Sequence, residues 1–119
     1  PTGTWILAPA ERLSSAQQSA LMLREVPRRI AFASETGDWS HVDVYLTKTT
    51  DYRALVCAGS RWDAQALEWM QSRGSRYASL GGELHGAELA IRYAGDGDER
   101  VAMLSETLVG ELVAERLLR

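Results

Sequence analysis

The stretch that decides the fold is SSAQQSALMLREVPRRIAFA, residues 14–33. Its serines can cap a helix, and alanine and leucine residues then recur at helical spacing from position 16 to position 23. Pro27 lacks an amide hydrogen and disfavours helical angles at the preceding Val26, so its place inside a helix would cost about 3 kcal/mol. We therefore predict that this helix ends near Val26. A short apolar strand, TWILA (residues 4–8), precedes it.

The residues after Pro27 predict an antiparallel ribbon of three strands. In the first, Ile30 and Phe32 alternate with smaller residues, and a turn at Gly37 follows. The second has apolar residues at every other position, namely Val42, Val44 and Leu46. The third, YRALVCA (residues 52–58), is apolar on both faces, which places it in the centre of the sheet.

The remaining sequence predicts a helix from Trp62 to Arg73, a loop over residues 75–86 and a strand over residues 87–94. A turn and a cap at Asp98 then begin a long helix that reaches the end of the chain. We expect one apolar stripe of this helix to face the core; it consists of Val101, Leu104, Leu108 and Leu112. Gly110 lowers helix propensity there, so we expect close packing at that position.

This order of elements predicts one α+β domain over residues 1–119. The preferred architecture is a sandwich with a mixed or antiparallel sheet in the order β-α-β-β-β-α-β-α. If the first helix instead ran through Pro27 to Ala33, the order would be βαββαβα, which is close to a ferredoxin-like domain. The position of Pro27 favours the first architecture.

Composition narrows the classes of partner and compartment. The 119 residues carry a net charge of −3, which gives no basic surface for nucleic acid and no attraction to anionic membranes. No apolar stretch reaches the ~20 residues that span a bilayer. The single cysteine, Cys57, suits a reducing compartment, so we expect a cytoplasmic protein. Nothing in the sequence calls for a cofactor.

The first residue, Pro1, raises an enzymatic alternative. An amino-terminal secondary amine can act as a base, but such a proline can also remain after trimming or cutting of a longer chain. The opening PTGTWILAPAERLSSAQQSALMLREV and the segment 86–117 resemble the tautomerase superfamily, whose members begin with proline. The resemblance implies proton transfer within a small keto or enol acid. Pro1 would be the base, and Arg12 would hold the substrate carboxylate.

The preferred hypothesis is a non-catalytic binding or assembly domain. Its partner would be another protein or a second copy of the chain, because the last helix carries apolar residues on more than one face. The candidate contact residues are two tryptophans next to turns and three leucines of that helix: Trp39, Trp62, Leu108, Leu112 and Leu117. A small-molecule carboxylate is expected only under the tautomerase alternative.

Other constellations are incomplete. The histidines, His41 and His85, are far apart and lie near no further ligand, so no metal site is expected. Asp43 and Lys48 suggest a nuclease-like core, but the central strand lacks the closely spaced acid and lysine which that chemistry needs. An inactive relative that binds nucleotides or nucleic acid stays open as a third class.

Overall fold

A computed structural model describes residues 3–119 of the chain. Five strands and four α-helices alternate along it, with two short 3-10 helices between them. The elements are β1 (Gly3–Ala8), a 3-10 turn (Ala10–Arg12), α1 (Leu13–Glu25), β2 (Ala31–Glu35), α2 (Thr36–His41), a second 3-10 helix (Asp43–Lys48), β3 (Tyr52–Cys57), α3 (Asp63–Ser72), β4 (Arg76–Leu80), β5 (Leu89–Ile91) and α4 (Glu99–Leu118).

The five strands form one sheet in the order β2-β1-β3-β4-β5, and every neighbouring pair is parallel. Trp5 of β1, for example, lies between Phe32 of β2 and Ala54 of β3. The predictions of a mixed or antiparallel sandwich and of a ferredoxin-like domain are therefore wrong. Parallel neighbours need a crossover between them, and here each crossover contains helix or loop rather than a tight hairpin turn.

Helix α1 ends where Pro27 predicts. Its last residue is Glu25, and Arg28 adopts a positive φ of 56° just after the proline. The amide of Arg29 then donates to the carbonyl of Leu23 at 2.9 Å, which turns the chain back toward the sheet. The alternative in which this helix continues to Ala33 is wrong.

The segment around Val44 is helical, although its alternating sequence predicts a strand. Residues Thr36–His41 form α2, and Asp43–Lys48 form the second 3-10 helix. Only Val44 and Thr47 of that 3-10 helix are buried, a spacing of three that matches its three residues per turn. This replacement of a strand by helix removes the predicted antiparallel ribbon.

Strand β3 occupies the centre of the sheet, and helix α3 covers most of the span expected for it, so both predictions are confirmed. The predicted loop over residues 75–86 is wrong, because Arg76–Leu80 forms β4. Strand β4 lies between β3 and β5, so its small residues are held by backbone hydrogen bonds on both sides. Within residues 3–119, no helix is both long and apolar enough to cross a membrane.

Helices cover both faces of the sheet. On one face, α1 and α4 pack over residues such as Ile6 and Leu80. On the other, α2, the second 3-10 helix and α3 enclose a core that contains Trp5, Trp39 and Met70. Because α1 and α3 follow adjacent strands but lie on opposite faces, the sheet is doubly wound about β1 and β3.

Helix α4 turns a different face to the core from the one expected. The buried residues are Ala102, Glu106, Gly110 and Ala114, which face α1. A Cβ atom on Gly110 would lie 2.7 Å from Cβ and 3.1 Å from Cα of Ser19, so the prediction of close packing at Gly110 is confirmed. The predicted core stripe is wrong, because its three leucines face solvent.

Candidate ligand-binding site

A cleft opens at the carboxyl ends of β1, β2 and β3. It has a volume of about 510 Å³ and is lined by Pro9, Ala10, Glu11, Glu35, Gly59, Ser60, Arg61 and Trp62. The strand order reverses at this point, since the chain leaves β1 toward one face of the sheet and leaves β3 toward the other. Loops that separate in this way leave a crevice, which is the usual ligand position in open parallel sheets.

The loop from β3 to α3 forms one wall of the cleft and is held by Asp63. The amides of Gly59 and Ser60 donate to Oδ2 of Asp63 at 2.8 and 3.1 Å, and the amide of Trp62 donates to Oγ of Ser60 at 3.1 Å. Gly59 has a φ of +127°, a region that L side chains rarely adopt. Burial raises the pKa of Asp63, and the two backbone hydrogen bonds oppose that rise. The loop therefore carries an internal carboxylate where a bound anion could otherwise lie.

Arg12 supports this loop from below. Its Nε donates to Oε1 of Glu106 at 2.8 Å, and Nη1 donates to Oε2 of Glu99 at 2.5 Å. Nη2 donates to the carbonyl of Ala58, so the guanidinium joins α4 to the end of β3. A Cβ on Gly59 would come 3.1 Å from Nη2, which explains why the chain has glycine there.

The buried pair also perturbs the carboxyl group. Burial raises the pKa of Glu106 to about 7, although attraction to Arg12 opposes the rise. Because Arg12 is buried and engaged by three groups of its own chain, its predicted role as a holder of substrate carboxylate is wrong for this conformation.

The opposite wall carries charge and an aromatic ring. Oε2 of Glu35 accepts the amide of Asp38 at 2.8 Å and caps α2. The guanidinium of Arg61 lies 4.9 Å from the ring centroid of Trp62. A Cβ on Gly37 would approach that ring to 2.6 Å, so α2 and the indole are in close contact. The cleft thus combines an exposed guanidinium, a hydroxyl and two carboxylates beside an aromatic surface.

Two solved structures resemble this chain along nearly its whole length. One is c3406 of E. coli CFT073 in complex with a phosphosugar, with a TM-score of 0.72, 15% identity, and coverage of 98% of this chain and 69% of that chain. Another is the C-terminal domain of glucosamine-fructose-6-phosphate aminotransferase from Francisella tularensis, with a TM-score of 0.69, 16% identity, and coverage of 98% of this chain and 35% of that chain.

The chain has a Rossmann-like fold of the SIS type. At these identities the likeness concerns the fold. The chain spans about a third of the length of the aminotransferase domain, as the 35% coverage states. No protein-family model and no curated protein matches the chain.

The remaining predicted site residues are scattered over the structure. Trp62 lines the cleft, and its role in partner binding stays a prediction. Trp39 is completely buried and donates from Nε1 to the hydroxyl of Tyr52 at 2.5 Å, so its predicted exposure to a partner is wrong. Bulky neighbours on several elements enclose its ring. Leu108, Leu112 and Leu117 are exposed on α4, away from the buried face of that helix or near its end.

Pro1 lies outside the described residues, so the tautomerase resemblance stays a prediction. Within residues 3–119, no group of three or more His, Cys, Asp or Glu side chains could hold a metal ion. Cys57 is buried, and burial raises the pKa of its thiol, which disfavours the reactive thiolate.

Sequence reasoning missed Glu35, Gly59, Ser60 and Arg61 as cleft residues. One signal for them existed, because AGSRWD directly follows the most apolar strand and precedes a helix. Glycine and serine between a buried strand and a helix are typical of ligand-binding turns in parallel sheets. That signal has meaning only once the sheet is known to be parallel.

Proposed function

We propose that this chain is a ligand-binding domain that holds a small phosphorylated sugar in the cleft at the ends of β1, β2 and β3. The observation that carries the proposal is the position of the cleft at the reversal of strand order, with Arg61 and Ser60 on its wall. The solved structure of c3406, which shares the fold, contains a phosphosugar.

The chemistry of the lining suits the two ends of such a ligand. Arg61 supplies a guanidinium that can make charge-assisted hydrogen bonds to a phosphate, and Ser60 supplies a hydroxyl. Glu11 and Glu35 can accept hydrogen bonds from sugar hydroxyls, and the indole of Trp62 offers an apolar surface to the sugar carbons.

The site differs from a simple phosphate cradle. The amides of Gly59 and Ser60, which would face a phosphate at the start of α3, are occupied by Asp63. The phosphate would therefore depend on the side chain of Arg61. With two carboxylates nearby, a loss of this one guanidinium would leave the cleft repulsive to anions.

Calorimetric titration of the chain with a pentose phosphate, and with the same pentose without its phosphate, tests the proposal. We expect binding of the pentose phosphate and at least ~10-fold weaker binding of the free sugar, since hydrogen bonds to charged groups contribute about 1.5–3 kcal/mol. Arg61→Ala should weaken binding of the pentose phosphate by a similar factor. The matched control is Arg116→Ala on α4, far along the chain from the cleft and likewise exposed, which should leave binding unchanged.

Two results would contradict the proposal. One is the absence of heat and of thermal stabilisation with a range of phosphorylated sugars at millimolar concentration. The other is equal loss of binding in Arg61→Ala and Arg116→Ala, which would indicate general charge attraction rather than a site.

A further inference from the structure

Helix α4 presents apolar residues on two opposite faces. Its inner face consists of small residues that pack on α1, among them Ala102, Gly110 and Ala114. Its outer face carries three leucines at intervals of four residues: Leu104, Leu108 and Leu112, with exposed fractions of 76%, 59% and 67%. At 100° per residue, Leu108 points about 160° away from Gly110. A helix with apolar residues all round is normally covered on all sides.

We propose that this leucine face (Leu104, Leu108 and Leu112) pairs with the same face of a second copy of the chain, with the two α4 helices antiparallel. The spacing of the leucines fits such self-pairing. A twofold axis through Leu108 places Leu108 against itself and Leu104 against Leu112 of the other copy. A twofold interface requires one surface patch to be complementary to itself in this way.

The charges at the ends of the face favour the antiparallel orientation. Arg100 lies near the first end of the leucine face, and Glu115 lies near the other. Both are exposed and make ion pairs within α4 or its cap, Arg100 with Asp98 at 3.4 Å and Glu115 with Arg119. Antiparallel pairing brings Arg100 of each copy close to Glu115 of the other, whereas parallel pairing would align like charges.

The size of the face indicates a reversible dimer. The three leucines expose on the order of 400 Å² on each copy, whereas a stable complex buries about 800 Å² on each partner. We therefore expect dissociation constants of roughly 0.1 mM rather than nanomolar affinity. This proposal does not depend on the cleft, because the leucine face lies on a different element and can be tested without a ligand.

Disulfide trapping tests the register directly. The native Cys57 is buried, so an introduced cysteine is the accessible one. Under mild oxidation, Leu108→Cys should form a linked dimer several-fold faster than Leu104→Cys, because only position 108 meets its own copy. A mixture of Leu104→Cys and Leu112→Cys chains should recover the fast reaction. The matched control is Leu89→Cys on β5, where the native leucine is 58% exposed.

Sedimentation equilibrium tests the pairing without cysteines. The wild-type chain should approach twice its monomer mass as its concentration rises toward ~1 mM. Leu108→Glu should raise the dissociation constant at least ~10-fold, since it places two carboxylates at the axis. Arg100→Glu alone and Glu115→Arg alone should weaken the dimer, and the double reversal should restore it. Circular dichroism should show that each variant keeps its fold.

A wild-type chain that stays monomeric throughout this range would overturn the proposal, and a different covering partner would then be implied. Equal rates of linking for Leu108→Cys and Leu89→Cys would also overturn it. Failure of the double charge reversal to restore the dimer would overturn the antiparallel orientation.

Discussion

Replacement of Gly110 by alanine tests how closely α1 and α4 approach each other. Gly110 lies in the middle of α4 and faces Ser19 of α1, and both residues are buried. A Cβ built on Gly110 would come 2.7 Å from Cβ and 3.1 Å from Cα of Ser19. Relief would therefore require the backbone of one helix to move, because a rotation of the serine hydroxyl leaves both of these atoms in place.

Two opposing effects set the expected magnitude. Alanine is favoured over glycine in a helix interior by about 1 kcal/mol. Overpacking of a well-packed contact costs about 1–3 kcal/mol, and the involvement of a backbone atom indicates the upper part of that range. We expect Gly110→Ala to lower the free energy of unfolding by about 1–2 kcal/mol. The steric effect thus reverses the sign that helix propensity alone would give.

Urea unfolding followed by tryptophan fluorescence measures this change, and the chain has four tryptophans as reporters. The control is Gly97→Ala, since a Cβ at that position meets no atom within 4 Å and its φ lies outside the left-handed region. In a double-mutant cycle, Ser19→Gly should recover at least ~1 kcal/mol in the Gly110→Ala background. Stabilisation by Gly110→Ala would refute the close approach of the two helices.

Two further predictions concern buried polar groups. Because burial raises the pKa of Glu106 to about 7 from a usual value of 4.5, the native state holds a proton between these values that the unfolded state has released. Stability should therefore fall as the pH rises from 5 to 8, and Glu106→Gln should flatten the pH dependence of the urea midpoint; an unchanged slope would contradict this. Tyr52→Phe should cost about 1–3 kcal/mol, because the indole of Trp39 loses its buried acceptor. Tyr45→Phe, at an exposed tyrosine, is the control and should leave the urea midpoint within error; equal losses in both would show that the hydrogen bond contributes nothing.

Several elements could be predicted because local chemistry decides them. Pro27 ends α1 in any tertiary setting, since its ring and missing amide hydrogen act within one turn. Asp98 caps α4 by accepting the amide of Arg100 at 2.9 Å. Strand β3 is apolar on both faces, which only a central strand of a covered sheet accommodates.

Other elements could not be predicted because their sequence signals were ambiguous. The alternation at Val42, Val44 and Leu46 matches a strand, yet a short 3-10 helix buries Val44 together with Thr47 at a spacing of three. Strand β4 consists largely of residues with weak strand preference, and the backbone bonds from β3 and β5 stabilise it. The leucines of α4 indicated a core face, but the smaller residues lie inside because α1 approaches so closely.

By itself, the sequence determined where helices begin and end and which strand lies in the centre, because caps, proline and apolar runs act over a few residues. Only the tertiary structure decided that all strands are parallel and that Arg12 is enclosed by Glu99 and Glu106, more than 80 positions away. The cleft itself belongs to this second group. Its walls come from three separate loops, and they meet only because parallel strands bring their carboxyl ends to one edge of the sheet.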